Sequence, residues 1–88
     1  MSGADRTWRI TVDGTEHEIR VAYSMLTAGI TVHHDGELVA RDRLFMSAKR
    51  FDLDLGSSRA TVEVYYPDED DVASRLFLDG QEVASRPA

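Results

Sequence analysis

Three histidines are the residues of this sequence best suited to bind a transition metal, since the imidazole nitrogen is a common zinc ligand. His33 and His34 are neighbours, so on a strand they point to opposite faces and cannot chelate one ion together. His17 is distant in sequence and would have to meet one of them. Two histidines with a carboxylate such as Glu37 could form a zinc site, but the spacing does not predict one. We therefore expect no metal and no cofactor, with His34 facing Glu37 across a turn.

The densest cluster of charge is the acidic segment Asp68-Glu69-Asp70-Asp71. Clustered carboxylates can hold calcium, but an EF-hand loop requires a glycine at its sharp turn and a distal bidentate glutamate. This segment has neither. We expect a solvated acidic loop, and the alternative is a loop that docks a basic partner.

Catalytic patterns are absent from the sequence. No serine lies in a Gly-x-Ser-x-Gly elbow, and no Ser-His-Asp set can be assembled from the spacing. No pair among the sixteen acidic residues stands out as a general acid and base. Gly56 lacks the further glycines of a phosphate-binding loop. The sequence thus predicts no catalytic residues and no enzymatic activity.

Tight turns must position these side chains, because three Asp-Gly pairs each lie between runs of alternating apolar residues. Asp-Gly favours a two-residue type I′ turn, in which both central residues have positive φ. The recurrence of the pair predicts three hairpins. The pairs are Asp13-Gly14, Asp35-Gly36 and Asp79-Gly80.

The hairpins predict which residues face each other. The first turn places Trp8 opposite Ile19 on an apolar face and Arg9 opposite Glu18 on a charged face, as a half-buried sheet requires. A further hairpin without Asp-Gly joins strands around Phe51–Leu55 and Ala60–Tyr66. Two more cross-strand pairs are predicted, Val39 opposite Val32 in the second hairpin and Leu76 opposite Val83 in the last.

No stretch of ten residues has a convincing helical period, and regular turns between period-2 strands are typical of a sandwich or barrel. The sequence therefore predicts an all-β fold, an antiparallel β-sandwich of about eight strands built from hairpins. We expect a single domain over residues 1–88, with residues 1–6 and 87–88 frayed.

Composition limits the partners. The formal net charge of −6 argues against nucleic acid and anionic membranes, which both attract basic surfaces. No apolar run approaches the ~20 residues needed to span a membrane. The chain has no cysteine and begins with a polar segment, so we expect a cytoplasmic protein that is a monomer or a weak homo-oligomer.

A partner surface is predicted at the end of one strand. Tyr65 and Tyr66 are adjacent on a strand and must face opposite sides, so one ring is exposed. Tyrosine is enriched in interface cores. The neighbouring Asp68, Glu69, Asp70 and Asp71 would attract a basic partner, so we assign possible partner contacts to these six residues.

Turn and core residues also follow one another in an order found in a known family: Trp8, Asp13-Gly14, His17-Glu18-Ile19, Asp35-Gly36-Glu37, Arg41, Phe45, Phe51, Ala60-Thr61-Val62, Leu76–Leu78, Asp79-Gly80 and Val83. Over about Thr7 to Arg86 the chain resembles one domain of the Fas apoptotic inhibitory molecule family. The resemblance implies an antiparallel β-sandwich without catalytic residues or cofactor. Animal members are cytosolic, carry two such domains in tandem and are linked to restraint of death-receptor signalling.

We therefore expect a non-enzymatic protein-interaction module. The alternatives are a small β-sandwich that binds a ligand or a metal, and a small enzyme with an unrecognised site.

Overall fold

Alternating apolar and polar residues form eight β-strands in a computed structural model of the protein. The structure describes residues 5–44 and 47–84, and no helix occurs among them. The strands are β1 (Arg6–Val12), β2 (Thr15–Tyr23), β3 (Gly29–His34), β4 (Glu37–Arg43), β5 (Lys49–Leu55), β6 (Ser58–Tyr65), β7 (Ala73–Leu78) and β8 (Gln81–Val83).

The strands form two antiparallel sheets, β1-β2-β3-β4 and β5-β6-β7-β8, each with its strands in chain order. The prediction of an all-β fold of about eight strands is confirmed. Of the ends predicted to be frayed, residues 1–4 and 87–88 lie outside the described residues, and Arg6 begins β1. In the described part of the chain, no helix is long and apolar enough to cross a membrane.

All three Asp-Gly pairs form the predicted turns, because both residues of each pair have positive φ. The angles are 51° and 77° at Asp13-Gly14, 52° and 84° at Asp35-Gly36, and 49° and 86° at Asp79-Gly80. The cross-strand pairs of the first and last hairpins are also confirmed, including Trp8 with Ile19 and Leu76 with Val83.

The second hairpin differs from the prediction at one residue. Val32 pairs with Ala40 rather than Val39, because a β-bulge inserts Val39 as an extra residue between two cross-strand pairs. The hydrophobic pattern of β4 is weak, so sequence alone does not fix the register there. Leu38 and Val39 are exposed at 43% and 42%, like most of the edge strand β4.

One hydrophobic core lies between the two sheets and takes alternating residues from most strands, whereas β4 contributes only the partly buried Ala40. Trp8 is buried, as predicted, and its indole Nε1–H donates to the Val83 carbonyl at 3.1 Å. This bond joins the first strand to the last. The largest fully buried side chains are Trp8, Ile19, Ile30, Leu44, Leu76, Val21, Val32, Val62 and Val64.

Candidate functional site

A groove of about 330 Å³ lies where the β2–β3 turn meets the β6–β7 loop. One side carries the carboxylates of Glu69, Asp70 and Asp71, and no lysine or arginine is among the described residues that line the groove. The remaining wall is aromatic and apolar, formed by Tyr23, Met25, Tyr66 and Val72. We call these seven residues the acidic groove.

Local hydrogen bonds shape the acidic side of the groove. Asp68 Oδ1 accepts a bond from the Asp70 amide at 2.9 Å, and Asp71 Oδ1 accepts one from the Val72 amide at 2.8 Å. The Asp68 contact is an Asx turn, in which an aspartate side chain accepts a bond from the amide two residues further along the chain. Val72 is buried and anchors the loop to the core. The loop is therefore folded back on itself, with Glu69 and Asp70 on its exposed surface.

The apolar side of the groove includes unusually exposed side chains. Met25 is 77% exposed and the adjacent Leu26 is 97% exposed, while Tyr66 is 39% exposed. The β2–β3 turn is held at its base by a bond from the Ser24 amide to the Gly29 carbonyl at 2.9 Å. Within the groove, the exposed Met25 and the ring of Tyr66 form a surface that can adapt to an apolar partner side chain, and Leu26 is exposed next to Met25 in the turn.

Four of the six residues predicted as partner contacts line this groove: Tyr66, Glu69, Asp70 and Asp71. Asp68 orders the loop through its bond to the Asp70 amide. Tyr65 lies elsewhere, because it faces outward from the second sheet, where the Arg75 guanidinium lies 4.4 Å from its ring centre. The sequence did not indicate Tyr23, the last residue of β2, or Met25 in the β2–β3 turn, which precede Tyr66 by about 40 residues.

The outward face of the second sheet carries a charge network that the sequence analysis missed. Glu63 is 4% exposed and accepts hydrogen bonds from Arg75 Nε at 2.6 Å and Arg50 Nε at 2.9 Å. Burial raises the pKa of Glu63, but the bonds and positive charges of Arg50 and Arg75 outweigh it and leave that pKa below its ordinary value. The cross-strand pairing of Glu63 with both arginines makes this network part of the sheet itself.

A larger open groove of about 650 Å³ adjoins the β2–β3 turn and shares Tyr23 with the acidic groove. Arg41 and Arg43 line it together with Asp42, so its charges are mixed. Asp42 also pairs with Lys49 at 3.6 Å. This larger groove therefore selects the charge of a partner less clearly than the acidic groove does.

Two of the three histidines meet at the opposite end of the first sheet. His17 Nδ1 lies 2.9 Å from His34 Nε2, and Asp35 Oδ2 lies 3.9 Å and 3.4 Å from these two atoms. These three side chains could hold a metal ion. Glu37 pairs with His34 across the turn, as predicted, but the carboxylate within reach of both imidazoles is that of Asp35.

The third histidine lies apart from this cluster. His33 is paired with Arg20 and Leu38, on the other face of β3, and its Nδ1 is buried without a hydrogen-bond partner. The prediction that His33 and His34 cannot act together is consistent with this arrangement.

Comparison with known proteins assigns the chain to no family. No family model matches the sequence, and no curated protein matches it. The resemblance to the Fas apoptotic inhibitory molecule family stays a prediction.

Proposed function

We propose that this protein is a non-enzymatic interaction module whose acidic groove binds a segment of a partner protein that carries basic and apolar side chains. The observation that carries the proposal is the convergence of three carboxylates and four apolar or aromatic side chains in one groove. The resemblance to a domain of the Fas apoptotic inhibitory molecule family favours the same class of function. The proposal places the protein in the cytoplasm, acting on proteins rather than nucleic acid or membranes.

Charge complementarity defines the occupant. Glu69, Asp70 and Asp71 are exposed, and residues 5–44 and 47–84 place no cation in the lining of the groove to offset them. The whole chain has a net charge of −6, which adds a longer-range attraction for a cationic segment. Lysine or arginine would face the carboxylates, with the charges screened over ~10 Å at 0.1 M salt.

Shape sets the scale of the interaction. A groove of about 330 Å³ accepts a few side chains rather than a whole domain surface. The partner segment would place an apolar side chain against Met25 and Tyr66 and a basic one beside the loop. Aromatic anchors and charged rims have these separate roles in protein interfaces, where the rim chiefly sets the association rate and salt dependence.

A peptide panel tests the proposal. Fluorescently labelled peptides that combine lysine or arginine with leucine or phenylalanine are titrated with the protein and followed by anisotropy. Matched peptides carry glutamate at the basic positions. We expect binding of basic apolar peptides that weakens as salt is raised, and none of the glutamate peptides. A panel in which no basic apolar peptide binds would overturn the proposal.

Variants locate the binding. Glu69→Gln with Asp70→Asn removes two charges from the groove and should weaken binding about tenfold at low salt, since 1.4 kcal/mol corresponds to a factor of ten. Asp52→Asn with Asp54→Asn makes the same change in net charge on β5 and should have little effect. Equal losses in the two double variants would show that net charge alone attracts the peptides.

A further inference from the structure

We propose that His17, His34 and Asp35 form a binding site for a divalent transition metal ion, of which zinc is the best fit. The spacing in the sequence did not predict this set, and Asp35 was not the carboxylate considered with the histidines, since the three residues belong to β2, β3 and the β3–β4 turn. The inference is independent of the acidic groove, because the β2–β3 turn that builds the groove lies at the other end of these strands.

The separations of the three ligand atoms bracket those around a zinc ion. His17 Nδ1, His34 Nε2 and Asp35 Oδ2 are 2.9, 3.4 and 3.9 Å apart. Two ligands at Zn bond lengths of 2.0–2.1 Å in a tetrahedron are ~3.4 Å apart, which is the middle of this range. The point about 2.0 Å from all three atoms lies in their plane, so a tetrahedral ion requires His17 Nδ1 and Asp35 Oδ2 to approach each other from 3.9 Å to about 3.4 Å.

A metal ion would also pair with the lone pairs of all three ligand atoms, which the three side chains cannot do among themselves. When both rings are neutral, one of the facing nitrogens of His17 and His34 can donate to the other, and a single proton serves the contact. The carboxylate of Asp35 is an acceptor only. A divalent cation accepts a lone pair from all three groups at once, which no arrangement of one proton achieves.

The carboxylate is held in place by its other oxygen. Asp35 Oδ1 accepts a hydrogen bond from the Glu18 amide at 2.8 Å, and the Asp35 amide donates to the Glu18 carbonyl at 2.8 Å. These bonds leave Oδ2 directed at the two imidazoles. Hydrogen-bonded carboxylates that support a ligand set in this way contribute substantially to metal affinity.

The second sheet contains the same turn without the histidines. Asp79 Oδ1 accepts a bond from the Arg59 amide at 3.0 Å, and the Asp79 amide donates to the Arg59 carbonyl at 2.9 Å. Ser58 stands where the first sheet has His17, and Leu78 stands where it has His34. The aspartate therefore serves the turn in both sheets, whereas only the first sheet adds two imidazoles beside it.

The donor set selects the class of metal. Two imidazoles with one carboxylate suit zinc and its transition-metal neighbours, whereas magnesium and calcium prefer oxygen ligands alone. The side chains of His17, His34 and Asp35 are 15%, 24% and 54% exposed, so an ion can enter from solvent. Three protein ligands leave a fourth position for water or for a group on a partner.

Calorimetric titration of the tag-free, chelator-treated chain with zinc chloride tests the proposal. We expect saturable binding of one zinc ion per chain, a higher melting temperature with zinc, and no such response to magnesium or calcium. Histidine ring ¹⁵N spectra of the parent chain should show zinc-dependent shifts at His17 Nδ1 and His34 Nε2 but not at His33. This readout needs no variant and so does not depend on a variant's folding.

Matched variants assign the ligands. His17→Gln and His34→Gln should each weaken zinc binding by at least ~100-fold. Loss of a group that only supports a ligand already weakens metal binding ~10–100-fold, and a ligand itself should matter at least as much. Asp35→Asn should weaken it by at least ~10-fold, because the amide keeps the bond to Glu18 but loses its charge. His33→Gln and Asp79→Asn should bind like the parent. Absence of saturable zinc binding, or equal losses in His33→Gln and His34→Gln, would overturn the proposal.

Discussion

The guanidinium of Arg75 reaches the carboxylate of Glu63 at 2.6 Å, between neighbouring strands on the outward face of the second sheet. Arg50 bonds the other carboxylate oxygen at 2.9 Å. Arg75 also lies over the rings of Tyr65 and Phe77, 4.4 and 5.4 Å from their centres. Arg50 and Arg75 both contact the carboxylate of Glu63, and this accounts for a glutamate on an outward face that is only 4% exposed.

We expect Glu63→Gln to lower the free energy of unfolding by ~1–3 kcal/mol, because it weakens two charge-assisted hydrogen bonds at a buried acceptor. Urea unfolding at neutral pH measures the change. Glu16→Gln is the matched control, since Glu16 is 64% exposed and lies 3.8 Å from Arg9, and exposed pairs contribute little. Equal stability of the two variants would contradict a structural role for the network.

The interaction of Glu63 with Arg50 and Arg75 should also affect how the stability of the protein depends on pH. The pKa of Glu63 is lowered in the folded state, since the bonds and charges of Arg50 and Arg75 outweigh the effect of burial. Its contribution is therefore complete above the ordinary glutamate pKa and is lost as pH falls through the lower folded-state value. Melting temperatures from neutral to acid pH should fall less steeply in Glu63→Gln than in the parent. Parallel curves would contradict the assignment.

The fold could be predicted largely because three Asp-Gly pairs mark its tight turns. Each Asp-Gly pair forms a two-residue loop, and in the first and last hairpins this loop also sets the register of the whole strand pair. The prediction was wrong at Val39, where a bulge in a weakly patterned strand shifts the pairing by one residue. No local residue type requires a bulge at that position, so sequence alone did not reveal it.

The candidate sites depend on contacts that no turn rule fixes. His17 and His34 meet because His34 pairs with Ile19, two residues beyond His17 on the same face of β2. The irregular connection between Tyr23 and Gly29 sets that register. Likewise, Tyr66 and the acidic loop could be selected from their residue types, but the approach of Met25 from the other sheet could not.

Backbone conformation, rather than crowding, should decide the effect of substitutions in the turns. A Cβ added at Gly14 or Gly80 would have no other atom within 4 Å, yet both residues have positive φ. Valine at either position should cost at least ~1–2 kcal/mol of stability, since a β-branched residue resists this conformation. Asparagine tolerates positive φ and should cost less. Thermal unfolding that ranks asparagine and valine equally would contradict the turn assignment.

The bond from Trp8 to the Val83 carbonyl should hold β8 against the rest of the sandwich. Trp8→Phe removes the donor and should destabilise the protein by ~1–3 kcal/mol, because it leaves a partly buried carbonyl unpaired. Amide hydrogen exchange should then rise more in β8 than in β6, which is central in its sheet. A uniform rise over both strands would show that the bond does not hold β8 specifically.

The location of a bound basic peptide is the most direct test of the acidic groove as the functional site. A peptide with lysine or arginine beside leucine is titrated into ¹⁵N-labelled protein, and amide shifts are followed at low salt. We predict that the largest shifts fall in residues 23–26 and 66–72, on the two segments that form the groove, and that they shrink in Tyr66→Ala. Shifts centred on β4 or on the face with Arg50 and Arg75 would contradict the account.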